Sequence, residues 1–499
     1  MLLLRVHAGA DVGSGHGMRC LALAQAWRNS GGAVVFVMRD CGPAFRRRLS
    51  REEMPLEIIS GPAGGEEDLR HTLASRERLA ADWIVLDGYC FTSDYQAAVA
   101  RSGAKLLVVD DCGDLGPYHG DILLNNNLHA RAALYTECLE HMRLLLGTRF
   151  ALLREEFLRQ AAMRRTVRSP AGNVLVTLGG SDPTNVTPKV VEALRLLGGG
   201  AGLQITILAG ETNRHFDDVK SAVEKSELHV DLRSSADDMA ALYNWADMVI
   251  GAGGISCWER ALLGVPSLVI TLAENQQPIV RELASAGAAV ELGPGEGLRP
   301  EHIAEQLGAL LEDAPRREEI ARRGRELVDG QGAARIAMHM LGEKLFVREA
   351  RPEDRRMLWQ WVNDPVVRGM SLTGLDHIPW ETHVEWFEGK LAEENCLLLV
   401  AIDADDVPIG QARFDIEGRV ATISISIARD SRGKGRGTSL IRIALARLFT
   451  QTDVREVIAQ IRPHNKASRG AFEHCGFVDC GPRRVGEVEI RHYELRETE

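Results

Sequence analysis

Gly13-Ser14-Gly15-His16 sets an imidazole in a glycine turn, between the apolar run MLLLRV and the segment GMRCLALAQAW. Met18, Leu21 and Ala22 keep helical spacing, so the order expected here is strand, turn, helix. Backbone N–H groups of Gly13, Ser14 and Gly15 at a helix N-terminus can face a phosphate or an oxyanion. The helix dipole disfavours a protonated imidazole there, which makes His16 a candidate general base near neutral pH. The same residues also fit a plain strand–helix turn in which His16 only caps.

A second glycine turn, GAGGISCWERALLGVP (251–266), follows the apolar run MVI. Ser256 is expected to cap a helix that Gly264 ends before Pro266. The N–H groups of Gly253, Gly254, Ile255 and Ser256 would point at a diphosphate. Glu259, in the first turns, could bind both hydroxyls of a ribose. The other reading is a packed turn with Glu259 solvated. A third turn, Arg432-Gly433-Lys434-Gly435-Arg436-Gly437-Thr438, follows ATISISIA and opens the helix SLIRIALARLF. Its alternating glycines free successive N–H groups to wrap a pyrophosphate, and its basic side chains add local positive charge. It lacks the Lys-Ser/Thr pair of a Walker loop, and the sheet before it reads as antiparallel, against a Rossmann turn. A basic surface loop is the alternative. Asp110-Asp111 is not expected to hold a metal, because adjacent strand residues point to opposite faces. Asn125 to Asn127 are expected to shape a turn.

The elements that must position these turns fall into three groups. From 1 to 150, AVVFVM, WIVLDGY, KLLVVDD and DILLNNN read as buried parallel strands ending in polar residues, where open α/β sheets place ligands. From 151 to 341, VLVTLGGSDPTN, LQITILAG, MVIGAGG and SLVITLAENQ repeat the pattern, with 147–157 and 164–172 as the joint and 329–336 leading into a closing helix. From 346 to 499 the expectation is a strand, an Asp-capped helix and three alternating strands, an α+β domain. The 499 residues suit about three domains. A net charge of −11 argues against broad nucleic-acid or acidic-membrane binding. Nine cysteines without a C-x-x-C pair read as reduced thiols of a cytoplasmic protein. The N-terminus reads as a first strand and not a signal peptide, and no apolar run approaches the roughly 20 residues that span a bilayer.

GAGGISCWE followed by LAENQ is similar to the nucleotide-binding lobe of GT-B sugar-nucleotide enzymes, the lipid II N-acetylglucosaminyltransferase among them. Over 1–340 the chain more closely resembles the UDP-sugar hydrolases of pseudaminic acid biosynthesis and their spore-coat relatives. The matching stretches are DVGSGHGMRCLALA, WIVLDGY, LLVVDD, LLGTRFALLREEF, VLVTLGGSDPTN and GAGGISCWERALLGVPSLVITLAENQ. The resemblance implies two Rossmann-like halves in a GT-B-like pair of lobes. It implies removal of UDP from a diacetamido-trideoxy-L-altrose donor by water, without metal. His16 would then activate water, Tyr89 and Asn275 would line the sugar with Gln276 beside it, Ser256 and its neighbours would hold the diphosphate, and Glu259 the ribose. His7, in RVHAG, departs from the acidic residue usual in that family's RxDAS segment, a difference that bears on sugar specificity or the shape of the water pocket.

Arg432 to Gly437 matches the R-x-x-G-x-G loop of the GNAT acetyltransferases, and RPHNKASRGAFEHCGF (462–477) their second signature, so 346–497 resembles that family. The resemblance implies acetyl-CoA as co-substrate, contacted by Asn465. It also implies a splayed strand whose N–H polarises the acetyl carbonyl, with Ile425 and Ile427 as candidates. Phe472 stands where many members carry a tyrosine that protonates the leaving thiolate. Trp361, Asn363, Arg368, His383 and Trp386 look like the amine-substrate side of the subgroup acting on nucleotide-linked aminosugars. Core packing is the other reading of the tryptophans and the one expected of at least one of them, and His383 is either a general base or a structural histidine.

The combined expectation is an α/β, two-lobed GT-B-like pair of domains plus a C-terminal α+β GNAT domain. Its substrates would be a UDP-sugar and acetyl-CoA, with no metal, nucleic acid or membrane. Acetylation of the 4-amine of a UDP-aminosugar would precede loss of UDP. The alternatives are a GT-B glycosyltransferase, a protein N-terminal or lysine acetyltransferase in 346–499, and a binding or regulatory protein with a degenerate acetyltransferase domain.

Overall fold

A computed structural model describes residues 1–497 except 10–12, 163–164, 199–201, 211–212, 373 and 375. Asp11 and Val12 of the first matching stretch, Arg164 of the joint, and residues 498–499 lie outside the described residues. The chain divides into two compact units, Met1–Gln25 with Ala33–Ala333, and Ala26–Gly32 with Ala334–Glu499.

The first unit holds two parallel sheets. One contains β1 (Leu2–Val6), β2 (Val34–Met38), β3 (Leu56–Ile58), β4 (Trp83–Asp87), β5 (Lys105–Val109), β6 (Ile122–Asn125) and β7 (Arg143–Leu146), in the order β3-β2-β1-β4-β5-β6-β7. The other contains β8 (Asn173–Thr177), β9 (Gln204–Leu208), β10 (Val230–Arg233), β11 (Met248–Ala252), β12 (Ser267–Thr271) and β13 (Val290–Pro294), in the order β10-β9-β8-β11-β12-β13. Helices cover parallel sheets on both faces, so their central strands must be apolar on both sides. Every residue of β1, β2, β4, β8, β11 and β12 is accordingly buried. Strand order reverses between β1 and β4 in the first sheet and between β8 and β11 in the second. Such switch points leave a crevice at the carboxyl ends of the strands. The turns carrying His16 and Tyr89 follow β1 and β4, and the GAGGIS turn ends β11.

The second unit is one mixed sheet with β14 (Leu345–Glu349), β15 (Cys396–Asp403), β16 (Pro408–Glu417), β17 (Val420–Ile427), β18 (Glu456–Ile461), β19 (Val478–Val485) and β20 (Val488–Arg496). Its order is β14-β15-β16-β17-β18-β20-β19, and β17 with β18 is the parallel pair. The helix Arg436–Gln451 packs Leu440, Ile441, Ala444, Leu445 and Leu448 into the core beside Phe414 and Val457. Each large side chain so buried stabilises the fold by roughly 1.5–3 kcal/mol.

One local expectation changes. Asp354 does not cap the helix Arg355–Val362; its carboxylate accepts from the Arg351 N–H and from Arg348. The strand after Gly476-Phe477, β19, turns back as β20. Among the described residues no helix is long and apolar enough to cross a membrane.

Candidate active sites

His16 is the second residue of the helix Gly15–Arg28 and is 6% exposed. Its Nδ1 lies 2.6 Å from Oδ1 of Asp87, the last residue of β4. Arg19 Nη2 also lies 2.9 Å from Nδ1, but its two N–H groups have Asp87 and Asp111 as acceptors. A carboxylate only accepts, so the shorter Asp87 contact assigns the proton to Nδ1 and leaves Nε2 as the acceptor. Arg19, one turn further on, donates to both oxygens of Asp87. Burial alone would raise the Asp87 carboxyl, but the Arg19 guanidinium and His16 outweigh it and hold it well below the usual carboxylate range. Asp111 is likewise held low, against burial, chiefly by Arg19. The helix terminus is therefore not the sole influence on His16: Asp87 orients the ring, and Arg19 balances the charge of Asp87.

Tyr89 stands edge-on to His16, with ring centroids 5.0 Å apart. Its hydroxyl donates to Asp111 Oδ2 at 3.0 Å and accepts from Asn275 Nδ2 at 2.9 Å. Burial and the Asp111 charge push the phenol up, so it stays a donor. His16, Tyr89 and Asn275 thus come together across the two lobes. Asp111 faces this network, whereas Asp110 turns to Tyr135 and the Gly113 N–H. That divergence is the one expected of adjacent strand-end carboxylates. Of the asparagines, Asn125 bonds Tyr135 and the Asp111 carbonyl, and Asn127 donates to the Asp111 carboxylate. His7 is half-buried beside Gly88, and burial followed by the Arg5 charge lowers its imidazole.

The glycine turns are only partly as expected. Gly13 N–H donates to the Gly9 carbonyl at 2.8 Å, so it is not offered to a ligand. Ser14 and Gly15 remain at the helix start, and a Cβ on Gly15 would stand 3.5 Å from Ile255 of the other turn. Gly253 N–H donates to the Ile270 carbonyl and also leaves the expected set. Gly254, Ile255 and Ser256 stay at the N-terminal end of the helix Ser256–Leu263, where N–H groups have no intrahelical acceptor. Ser256 does not cap; it is the first helical residue, and its hydroxyl accepts from Arg260. Gly264 ends the helix in the left-handed region. Glu259 is not simply solvated, for it pairs with Arg154 at 2.9 Å. Gln276 accepts the Leu272 N–H through its side-chain oxygen.

In the second unit the β17–β18 ladder ends at Ile423 with Ala459, while β17 runs on to Ile427 against β16 alone. The Ala428 N–H bonds toward β16. By alternation, the N–H groups of Ile425 and Ile427 face the side β18 has left. Gly433 and Gly435 both have φ of 73°, and a Cβ on either would meet open space. The helix Arg436–Gln451 starts immediately after, with Gly437 and Thr438 in its first turn. The basic side chains fold back: Arg432 onto Ile427 O and Asp364, Lys434 onto Asp430 O, and Arg436 onto Ser431 and Asp403. Asn465 spends its side-chain oxygen capping the helix Lys466–His474, which leaves its amide N–H groups for a ligand.

Four expected site residues are structural. His383 is 2% exposed, stacked on Phe387, and donates through Nε2 to the Arg355 carbonyl, so it cannot meet a substrate. Asn363 uses both ends of its amide on Trp359 and Ile378. Arg368 is buried and bonds the Gly374 carbonyl. Phe472 is 3% exposed and packs against Phe477 in the core. Trp361 and Trp386 are partly buried against the core, and Arg413 lies over the Trp386 ring. Among the described residues, Glu393, Cys396 and Asp415 are close enough to share an ion, but Lys390 bridges the two carboxylates.

Two segments of the chain match known families. Residues 173–335 match the Glycosyltransferase family 28 C-terminal domain, and 344–478 the Acetyltransferase (GNAT) domain. Over 238 residues the chain is 30% identical to the spore coat polysaccharide biosynthesis protein SpsG of Bacillus subtilis (strain 168), covering 47% of this chain and 69% of that protein. The chain belongs to the SpsG family. Its SpsG-like part is also similar to the UDP-2,4-diacetamido-2,4,6-trideoxy-beta-L-altropyranose hydrolase of Campylobacter jejuni, 24% identical over 58% of this chain and 98% of that protein. The crystal structure of Acinetobacter baumannii MurG aligns with a TM-score of 0.49 and 16% identity, over 68% of this chain and 99% of that one. This SpsG-family protein is an enzyme that joins a UDP-sugar hydrolase homologue to a GNAT domain.

Reading the sequence missed Asp87, Arg19 and Arg154 of the SpsG-like part. Two signals were present: Asp87 closes the apolar run WIVLD, and Arg19 lies three residues from His16 on one helix face.

Proposed function

We propose that the lobes spanning 1–150 and 151–341 hydrolyse a UDP-linked diacetamido-trideoxy sugar, and that residues 346–499 acetylate the 4-amine of its precursor from acetyl-CoA. These are consecutive steps of pseudaminic-type sugar synthesis. The observation that carries the reading is the Asp87–His16 pair beside the Tyr89–Asn275 contact, opposite a second glycine turn. The substrate named for the Campylobacter jejuni relative supports the sugar class.

In the hydrolase, His16 Nε2 takes a proton from water. The water oxygen bonds to the anomeric carbon as the bond from that carbon to the diphosphate oxygen breaks. UDP leaves with the electron pair, and the N–H groups of Gly254, Ile255 and Ser256 meet its added charge. Asp87 stabilises the imidazolium, Tyr89 and Asn275 contact the sugar, and Glu259 holds the ribose. In the acetyltransferase, a neutral amine attacks the thioester carbon, a C–N bond forms as the C–S bond breaks, the nitrogen gives its extra proton to solvent, and CoA leaves as a thiolate that solvent protonates. The open N–H groups of Ile425 and Ile427 polarise the carbonyl, while the turn from Arg432 to Thr438 wraps the pyrophosphate, with Asn465 beside the cofactor.

The test is NMR of UDP-4-aminosugars incubated with the protein and acetyl-CoA. N-acetylation followed by free sugar and UDP is expected. Release of UDP only when an acceptor is supplied, with a glycoside as product, would replace hydrolysis by glycosyl transfer.

A further inference from the structure

The side chain that binds the hydrolase network together is Arg19. It is 2% exposed and lies one turn beyond His16 on the same helix face. Its Nε and Nη2 donate to the two oxygens of Asp87 at 2.7 and 2.6 Å. Its Nη1 and Nη2 donate to the two oxygens of Asp111 at 2.8 and 3.1 Å. One guanidinium therefore forks onto two buried carboxylates, one ending β4 and one just past the end of the neighbouring β5. Each carboxylate holds a further group: Asp87 takes His16 Nδ1, and Asp111 takes the Tyr89 hydroxyl and the Asn127 amide.

We propose that Arg19 is a positioning residue of the hydrolase site: its double fork keeps Asp87 and Asp111 both as acceptors, which fixes His16 in the tautomer with Nε2 unprotonated and holds Tyr89 toward Asn275. The role rests on His16 being the base. Two carboxylates this close and this buried do not both stay ionised without a cation between them. A proton shared between them turns one acceptor oxygen into a donor. A donor on Asp87 facing Nδ1 selects the opposite tautomer, whose Nε2–H cannot take a proton from water. Lysine would bring the charge without the fork. The other groups around the ring do not replace Arg19: Cys20 donates its thiol to Asp87 at 3.2 Å, Tyr89 donates to Asp111, and His7 brings no anion.

The tautomer can be read without any substrate. In the full chain labelled with [15N]histidine, two-bond 1H–15N correlations identify which ring nitrogen carries the proton, and the His16 signals are those lost in His16→Asn. The wild type is expected to show Nδ1–H. Arg19→Gln is expected to show a mixed or Nε2–H ring and UDP release lower by about 10²-fold or more. The double variant Arg19→Gln/Asp111→Asn removes one charge of each sign, leaves Asp87 the sole carboxylate, and is expected to restore Nδ1–H. It also decides the matter if the single variant does not fold. Nδ1–H retained in Arg19→Gln, or a double variant that stays mixed, overturns the proposal; a purely structural arginine would lower stability with the tautomer unmoved. If the tautomers behave as expected but the wild type releases UDP from no UDP-sugar, Arg19 keeps its positioning role and the hydrolase reading falls.

Discussion

Asp87→Asn is the sharpest perturbation of the hydrolase, because it changes charge and donor pattern without changing shape. The two Asp87 oxygens accept from His16 Nδ1 at 2.6 Å, Arg19 Nε at 2.7 Å, Arg19 Nη2 at 2.6 Å and the Cys20 thiol at 3.2 Å. An amide offers one oxygen and one NH2 to these four donors. Either orientation sets an N–H against Arg19. With NH2 at the Oδ1 position, His16 can relieve the conflict by accepting at Nδ1, which moves its proton to Nε2 and removes the base. Turnover should fall by roughly 10²–10⁴-fold, which is about 3–5.5 kcal/mol in the barrier. Breaking one side of a buried ion pair costs about 3 kcal/mol of stability at the lower end, and the retained Asp111–Arg19 pair keeps the loss near that end. UDP affinity, measured by calorimetry, should not change, because the diphosphate N–H groups belong to the other lobe. UDP release by Asp87→Asn within threefold of wild type, beside an inactive His16→Asn, would refute the orientation argument.

Glu259→Ala should weaken UDP binding by about 1–3 kcal/mol, and the lobe should still fold because Arg154 keeps Glu156 at 3.0 Å; wild-type affinity in calorimetry would remove Glu259 from the ribose site. Gly435→Asp puts a β-carbon on a φ of 73° and a carboxylate into the open turn, so acetyl-CoA binding should be lost while UDP release, seated in the other unit, continues. The acid limit follows from Asp87 and Asp111, both held below the ordinary carboxylate value. Their pairing with Arg19 contributes stability that is fully present above about pH 4 and lost as pH falls through the lower folded values. Denaturant midpoints should therefore fall below about pH 4, and fall less steeply in Asp111→Asn; a flat profile from pH 5 to 2 would contradict this.

Central strands were legible because burial on both faces leaves an unbroken apolar signature, as in WIVLD and SLVIT. In the two parallel sheets the strands that went unread are β3, β7, β10 and β13, each at a sheet edge, where half-exposure admits residues such as those of VDLR. The turns were legible from their glycines, yet which N–H groups remain for a ligand was not. Gly13 and Gly253 spend theirs on carbonyls that only the folded chain brings near. Asp87 and Arg19 were hidden for the same reason: 68 residues separate them in the chain, and the reversal of strand order makes them neighbours. In the acetyltransferase unit, Asn363, Arg368 and His383 matched a substrate side by type alone. Each is consumed by a backbone group within 30 residues, a local demand that polarity patterns do not reveal.

The Tyr89–Asn275 hydrogen bond joins the lobes through two surface side chains, Tyr89 being 41% exposed. A neutral bond of this kind is worth roughly 0.5–1.5 kcal/mol net, so taken alone it is broken between about a tenth and a third of the time. Such a latch lets the lobes breathe apart on the microsecond-to-millisecond scale without a trigger. On the proposed hydrolysis, UDP escapes past this bond, and reopening it would tie the upper bound on turnover to solvent drag on the lobes. Added viscogen would then slow the wild type in proportion, and slow Asn275→Ala less.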